Sequence, residues 1–143
     1  MIIEATASHI DEMTKLASVL WDEGYEILKP EIEENISKDD TVHFMKMVDD
    51  NPVAFAHCGL RYDYVEGTDS SPVGYLEGVF VKEEHRLKNI ASELVTECEQ
   101  WAKDRGCMEF ASDCELDNAG SLEFHLKSGF EEMNRIVCFR KSI

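Results

Sequence analysis

Two stretches of this sequence hold residue types that could do chemistry together. In YLEGVFVKEEHRLKNIA, Tyr75 to Ala91, an apolar run carries one acid, Glu77, and then gives way to Arg86 and Lys88. In MEFASD a short apolar run ends in Asp113. A carboxylate can bind an ammonium and relay its proton, and a second one nearby can hold the rest of a cationic molecule. Basic residues at a helix start suit an anion, phosphate above all, because the first N–H groups of a helix lack partners and carry partial positive charge. Each feature also has an ordinary reading. Glu77 could be a salt-bridged strand residue, Asp113 a turn or cap, and Arg86 and Lys88 a solvated helix entry.

The elements that must position these residues are legible from periodicity. Ile2 to Ala5 is a strand candidate. Ser8 can cap a helix in which Ile10, Met13, Leu16, Ala17 and Leu20 recur at helical spacing, ending near Trp21 before Gly24. A second, acidic helix is expected over Glu31 to Ser37, after Pro30. TVHFMKMV and VAFAHCGLRYDY read as strands joined by the turn DDNP. VGYLEGVFV is a strand, and alternation would put Glu77 on the face of Val79. Lys88 to Arg105 is a helix with Ile90, Ala91, Leu94, Val95, Cys98, Trp101 and Ala102 on one face, closed by Gly106. MEFAS is a strand, Asn118 to Lys127 a helix, and RIVCFRK a last strand. The order β-α-α-β-β-β-α-β-α-β implies a mixed α/β sheet, mostly antiparallel, with one β-α-β crossover and flanking helices.

Composition narrows the partners. The 143 residues suffice for a single domain, 1–143, with a substantial core. A formal net charge of −16 argues against nucleic acid and anionic membranes and favours cationic molecules, although acidity also simply keeps proteins soluble. Five scattered cysteines show no C-x-x-C and no zinc spacing with histidine, so free thiols in a reducing cytoplasm, with no metal, are expected. His9, His43, His57 and His85 suggest no constellation. No run of apolar residues is long enough to span a bilayer, and no signal peptide is evident.

The segment RLKNIA resembles the pyrophosphate loop of the GNAT acetyltransferases, Q/R-x-x-G-x-G/A. Arg86 fits its first position and Ala91 its last, while Asn89 stands where that family usually has Gly, a place Asn can fill because it tolerates φ > 0. NAGSLEFHLKSGFEE is similar to the family's closing segment, with Asn118, Ser121, Gly129 and Phe130 matching and His125 in place of the commoner Tyr. The element order matches as well. RYDYVEGTDSSPVGYLEGVFV, the ASD segment and Trp21 after the first helix resemble the small aminoglycoside 6′-N-acetyltransferases.

The resemblance implies the GNAT acyl-CoA fold and acetyl transfer from acetyl-CoA to an amine of an aminoglycoside, with resistance as the result. It assigns Val79, Phe80 and Val81 to the pantetheine arm and the thioester, whose carbonyl needs an N–H donor. Arg86, Leu87, Lys88, Asn89, Ile90, Ala91 and Asn118 would also serve acetyl-CoA. Glu77 and Asp113 would meet the acceptor amine, and His125 would be either a donor to the leaving thiolate or a satisfied helix-surface histidine. Trp21 and Tyr64 would wall the sugar site or belong to the core. Asp22, Glu23, Glu26, Glu33, Glu34 and Asp69 would form an acidic platform for the cation. A homodimer with a paired terminal strand is expected by the same likeness. Acceptors left open are another polyamine or a protein N-terminus, and a non-catalytic acyl-CoA-binding sensor is the alternative from a different class.

Overall fold

The computed structural model describes residues 1–143. Five strands form one sheet in the order β1-β2-β3-β4-β5, namely Ile2–Glu4, Thr41–Val48, Asn51–Arg61, Val73–Val81 and Phe110–Ser112. The first four are antiparallel neighbours, and β4 and β5 are parallel. β2 and β3 join through Asp49 and Asp50, both at positive φ (48° and 61°), as a two-residue hairpin turn matched to strand twist requires. No helix is long and apolar enough to cross a membrane.

The helices cover the two faces. α3 (Ile90–Asp104) buries Ile90, Leu94, Val95, Cys98, Trp101 and Ala102 against Val42, Ala54, Ala56, Cys58 and Leu76. On the other face α1 (Ile10–Leu20) and α2 (Tyr25–Ser37) bury Met13, Leu16, Ala17, Leu28 and Ile32 against Met45 and Phe55. The α4 helix (Ala119–Lys127) follows β5.

Several boundaries differ from the sequence reading. The Thr6 and His9 side chains and backbones cap a short 3-10 turn before α1, so Ser8 is not the cap. α2 begins at Tyr25 and runs through Pro30, because Leu28 and Ile32 are buried on one side of it; their burial offsets the one backbone hydrogen bond that proline cannot make. RIVCFRK forms no strand. Met133 packs over Gly67, where an added Cβ would lie 2.5 Å from it, and Asn134 donates to Glu66 at 2.6 Å. The chain end thus crosses the loop after β3 instead of returning along β5, and Ile136, Val137 and Phe139 stay exposed.

His43 and His57 form a pair that the sequence reading did not see. Cross-strand register sets them opposite each other on the face of Met45 and Phe55, with rings stacked at 4.0 Å between centroids. His43 is buried and neither of its ring nitrogens has a partner; nor does His57 Nε2. Burial holds both rings neutral. It pushes His57 down to about 4 and, with His57 beside it, His43 down to about 2. Unfolded, both would titrate near 6.5, so the unfolded chain binds more protons below that pH. Stability is therefore complete above about pH 6.5 and falls as pH drops toward 4, by about 2 kcal/mol for each ring at pH 5. Urea unfolding at pH 7.5 and pH 5 measures this loss, and His43→Leu should flatten the slope. An equally steep slope in the variant would assign the acid sensitivity elsewhere.

Candidate active site

β4 outlasts β5. β4 stays paired with β3 out to Val81, but β5 accompanies it only from Gly74 to Leu76. Beyond Leu76 the backbone of β4 on that side has no strand partner, and Arg86 Nε donates to the Val81 carbonyl at 3.0 Å. Free N–H and C=O groups along such an edge can hold an extended amide-bearing arm or polarise a carbonyl.

A bulge opens at the same point. Cys58 pairs with Leu76 and His57 with Gly78, which leaves Glu77 as an extra residue. The bulge overturns the expected alternation. Leu76, Val79 and Val81 pack on the α3 side, whereas Glu77 turns toward Arg61 and Tyr75 on the side of α1. Arg61 holds Glu77 with Nη2 at 2.8 and 3.1 Å from its two oxygens and Nε at 3.3 Å. The same guanidinium lies 3.4 Å from the centroid of the Tyr75 ring. Tyr75 in turn donates its hydroxyl to Asp113, the residue after β5. The structure thus joins Glu77 and Asp113 through Arg61 and Tyr75, at the place where β4 and β5 part. Burial works against the Arg61 charge, but the Glu77 carboxylate outweighs it and holds the guanidinium above its ordinary value. Burial, and then the bond to Asp113, push the Tyr75 phenol well up, so it remains a donor.

The segment between β4 and α3 has the backbone geometry that can cradle an anion. Asn89, at the N-cap of α3, has φ 65°, so the left-handed conformation expected there is present. Its carbonyl accepts from Glu93, which leaves the N–H groups of Ile90, Ala91 and Ser92 outside the helix ladder. The cradle needs a second left-handed residue, Leu87 at φ 60°, whose side chain is wholly exposed.

His125 of α4 reaches the same strand ends. Its Nδ1 donates to the Ser121 carbonyl at 2.7 Å, and Nε2 lies 2.8 Å from Ser112 Oγ. That hydroxyl is also 3.0 Å from the Leu76 carbonyl. The Ser112 hydroxyl thus stands between His125 Nε2 and the Leu76 carbonyl and ties α4 to the end of β5. The ring is half-buried between Phe124 and Phe130 and not on the helix surface. Asn118 Oδ1 accepts from Ser121 N at 3.1 Å, which commits that oxygen to capping α4. Trp21 packs its ring on Phe55 and over Gly78, where an added Cβ would lie 2.8 Å from it, yet keeps 38% of its surface exposed. Tyr64 is exposed on the loop after β3, its hydroxyl accepting from Gly67 N at 3.4 Å. Of the acidic platform, Glu34 is paired with Lys38 at 3.0 Å.

Residues 10–130 match the model of the Acetyltransferase (GNAT) family. The chain is 37% identical to an aminoglycoside N(6′)-acetyltransferase type 1 of Serratia marcescens over 100% of its length and 99% of the relative's. Among solved structures it resembles the aminoglycoside 6′-N-acetyltransferase AAC(6′)-Ih of Acinetobacter baumannii, with a TM-score of 0.96 and 36% identity over 100% and 98% of the two chains. AAC(6′)-Iy in complex with the bisubstrate analogue CoA-S-monomethyl-acetylneamine gives a TM-score of 0.95 and 33% identity, again over 100% and 98%.

Sequence reasoning missed Arg61 and Tyr75, because the register of β3 on β4 depends on the bulge. It also gave Leu87 a place in the cofactor loop without foreseeing its left-handed backbone. A left-handed leucine with no packing costs about 1 kcal/mol relative to glycine. Leu87→Gly should therefore raise stability by roughly 0.5 kcal/mol after the extra freedom of the unfolded chain is counted, and Leu87→Val should lower it by a similar amount. Chemical denaturation of both variants decides. The same sign for both would mean that the loop has another conformation.

Proposed function

This chain belongs to the GNAT acetyltransferase family, and we propose that it transfers an acetyl group from acetyl-CoA to the 6′-amine of an aminoglycoside and so confers resistance. The observation that carries this reading is the shared strand end, where Glu77 and Asp113 stand beside the unpaired edge of β4. We read residues 1–143 as one catalytic domain.

Acetyl-CoA supplies the acetyl group as an activated thioester. The N–H groups of Ile90, Ala91 and Ser92, with Arg86, Lys88 and the backbone of Leu87 and Asn89, hold its pyrophosphate. The backbone of Val79, Phe80 and Val81 binds the pantetheine arm and polarises the thioester carbonyl. The Asn118 side-chain amide remains free to donate to the cofactor. Glu77 binds the acceptor ammonium and accepts its proton. The freed amine nitrogen bonds to the acetyl carbon as the carbon–sulfur bond breaks, the nitrogen releases its second proton to solvent, and the departing sulfur takes a proton from His125, which solvent restores. The products are an amide, a thiol and one proton. Asp113 holds a second part of the polycation, Trp21 and Tyr64 flank the sugar rings, and the exposed acids Asp22, Glu23, Glu26, Glu33 and Asp69 attract the substrate by long-range field. Glu77→Gln should slow turnover by roughly ten- to a thousandfold and leave the acetyl-CoA dissociation constant nearly unmoved. Steady-state kinetics and equilibrium binding test both halves, and turnover within twofold of the parent would remove Glu77 from the acceptor site.

The exposed apolar tail, Ile136 to Ile143, supports a homodimer in which a second copy supplies the strand edge that this tail lacks. Five free cysteines and the acidic charge are in keeping with a cytoplasmic enzyme that binds neither nucleic acid nor membrane. Sedimentation should give a dimer for the whole chain and a monomer after removal of residues 136–143. A monomeric whole chain would rule the dimer out.

A further inference from the structure

Arg61 occupies an unexpected place. The reading above gives Glu77 the task of binding an ammonium, yet a guanidinium is already bidentate on that carboxylate. The ion pair is partly exposed, the Arg61 side chain 43% and that of Glu77 34%, but it has a third anchor: the guanidinium lies over the Tyr75 ring, 3.4 Å from its centroid. The Tyr75 hydroxyl is fixed in turn by Asp113. A guanidinium stacked on an aromatic face and forked on a carboxylate is held from two directions.

A carboxylate alone is a poor partner for a reacting amine. It stabilises the ammonium, which has no lone pair to attack with. A cation on the same carboxylate reverses part of that effect. Two cations that share one carboxylate lie about 4–6 Å apart, and their repulsion favours the neutral amine. The groups that face Glu77 are few: Arg61 from β3, Tyr75 from β4, Asp113 after β5, and His57, whose strand partner is the adjoining Gly78. α1 meets this stretch through Leu20 and Trp21, which carry no charge. Arg61 is the only one of these groups that is always cationic.

We propose that Arg61 is a positioning residue that stays on Glu77 during the reaction, weakens its grip on the acceptor ammonium and thereby raises the fraction of neutral, nucleophilic amine. The inference rests on the assignment of Glu77 to the acceptor site. It predicts opposite effects on binding and rate, which a merely structural arginine would not produce.

The test is the pH dependence of kcat and KM for a 6′-amino aminoglycoside in Arg61→Met and Arg61→Lys, with thermal midpoints measured alongside. In Arg61→Met, KM should stay level or fall, because Glu77 is freed for the ammonium. Its kcat near neutral pH should drop about tenfold, and the ascending limb of kcat should move up by about one pH unit, so that the rate recovers in alkali. Arg61→Lys keeps the charge and should restore most of kcat and the position of the limb. Should Arg61→Met fail to fold, Arg61→Gln carries the same comparison. A fall in kcat with a rise in KM and an unmoved limb, or no change in either constant, overturns the proposal. Glu77→Gln separates the two readings. If it slows turnover while the limb in Arg61→Met stays in place, only the role of Arg61 falls. If it leaves turnover unchanged, the assignment of Glu77 falls and this inference with it.

Discussion

The site depends on one strand that keeps one partner and loses the other. β4 runs on beside β3 after β5 has stopped at Ser112, and a bulge at Glu77 marks the place. These two facts are coupled through the change of face. Up to Leu76 the strand alternates between the α3 core and the Tyr75 side; after the bulge Val79 and Val81 return to the α3 core, while Gly78 lies under Trp21. One inserted residue thus satisfies two cores of different register. It also frees the Glu77 side chain from both of them. A regular strand that kept Leu76 in the α3 core would have turned Val79 and Val81 out of that core, to the face of Tyr75 and Glu77.

Around this break, each neighbouring element contributes a short piece. β3 gives Arg61, β5 ends in Ser112 and Asp113, α4 brings His125 onto Ser112, and α3 opens its N-terminus just beyond Val81. Apart from the adjacent Ser112 and Asp113, these groups are separated in sequence. The sheet alone assembles them, and so the packing under the sheet matters to the chemistry. The stacked His43 and His57 lie in that packing, and His57 pairs with Gly78, one residue beyond Glu77. Two neutral imidazoles without partners make a costly floor for the site. Trp21, Phe55 and Phe80, packed beside them, supply the apolar burial that sustains it.

What the sequence made legible follows from the range of each interaction. β2, β4 and the buried face of α3 were readable because local periodicity sets them; TVHFMKMV and VGYLEGVFV are strands to the residue. The left-handed Asn89 was readable because the resemblance pointed to a glycine position. Pro30 misled, since its local cost was weighed without the tertiary burial of Leu28 and Ile32. The tail misled for the opposite reason: RIVCFRK has strand composition, but Met133 and Asn134 carry the chain over Gly67 and Glu66 and away from the free edge of β5. The bulge, the Arg61 clamp and the histidine pair depend on register between strands joined by long connections, and no spacing in the sequence carries that.

The distribution of charge then reads as two separate devices at two distances. Over the whole chain the surplus of acids, −16, attracts a polycation and acts through solvent, where salt weakens it. Within hydrogen-bond reach of Glu77 the sign is reversed, because Arg61 sits there with its fork closed. A uniformly acidic site would gather ammonium groups well and release them to chemistry poorly, since stabilising the charged amine raises the cost of its lost proton. In the proposed role of Glu77, long-range attraction and short-range repulsion solve different problems, capture and activation, and they can coexist only if the cation beside that carboxylate is fixed. Tyr75 supplies that fixation. Its ring is buried against Val65 and Val73 and its hydroxyl is tied to Asp113, so the stacked guanidinium rests on a surface that cannot easily move. The aromatic residue furthest from notice in the sequence is the one on which the balance of charge at the site rests.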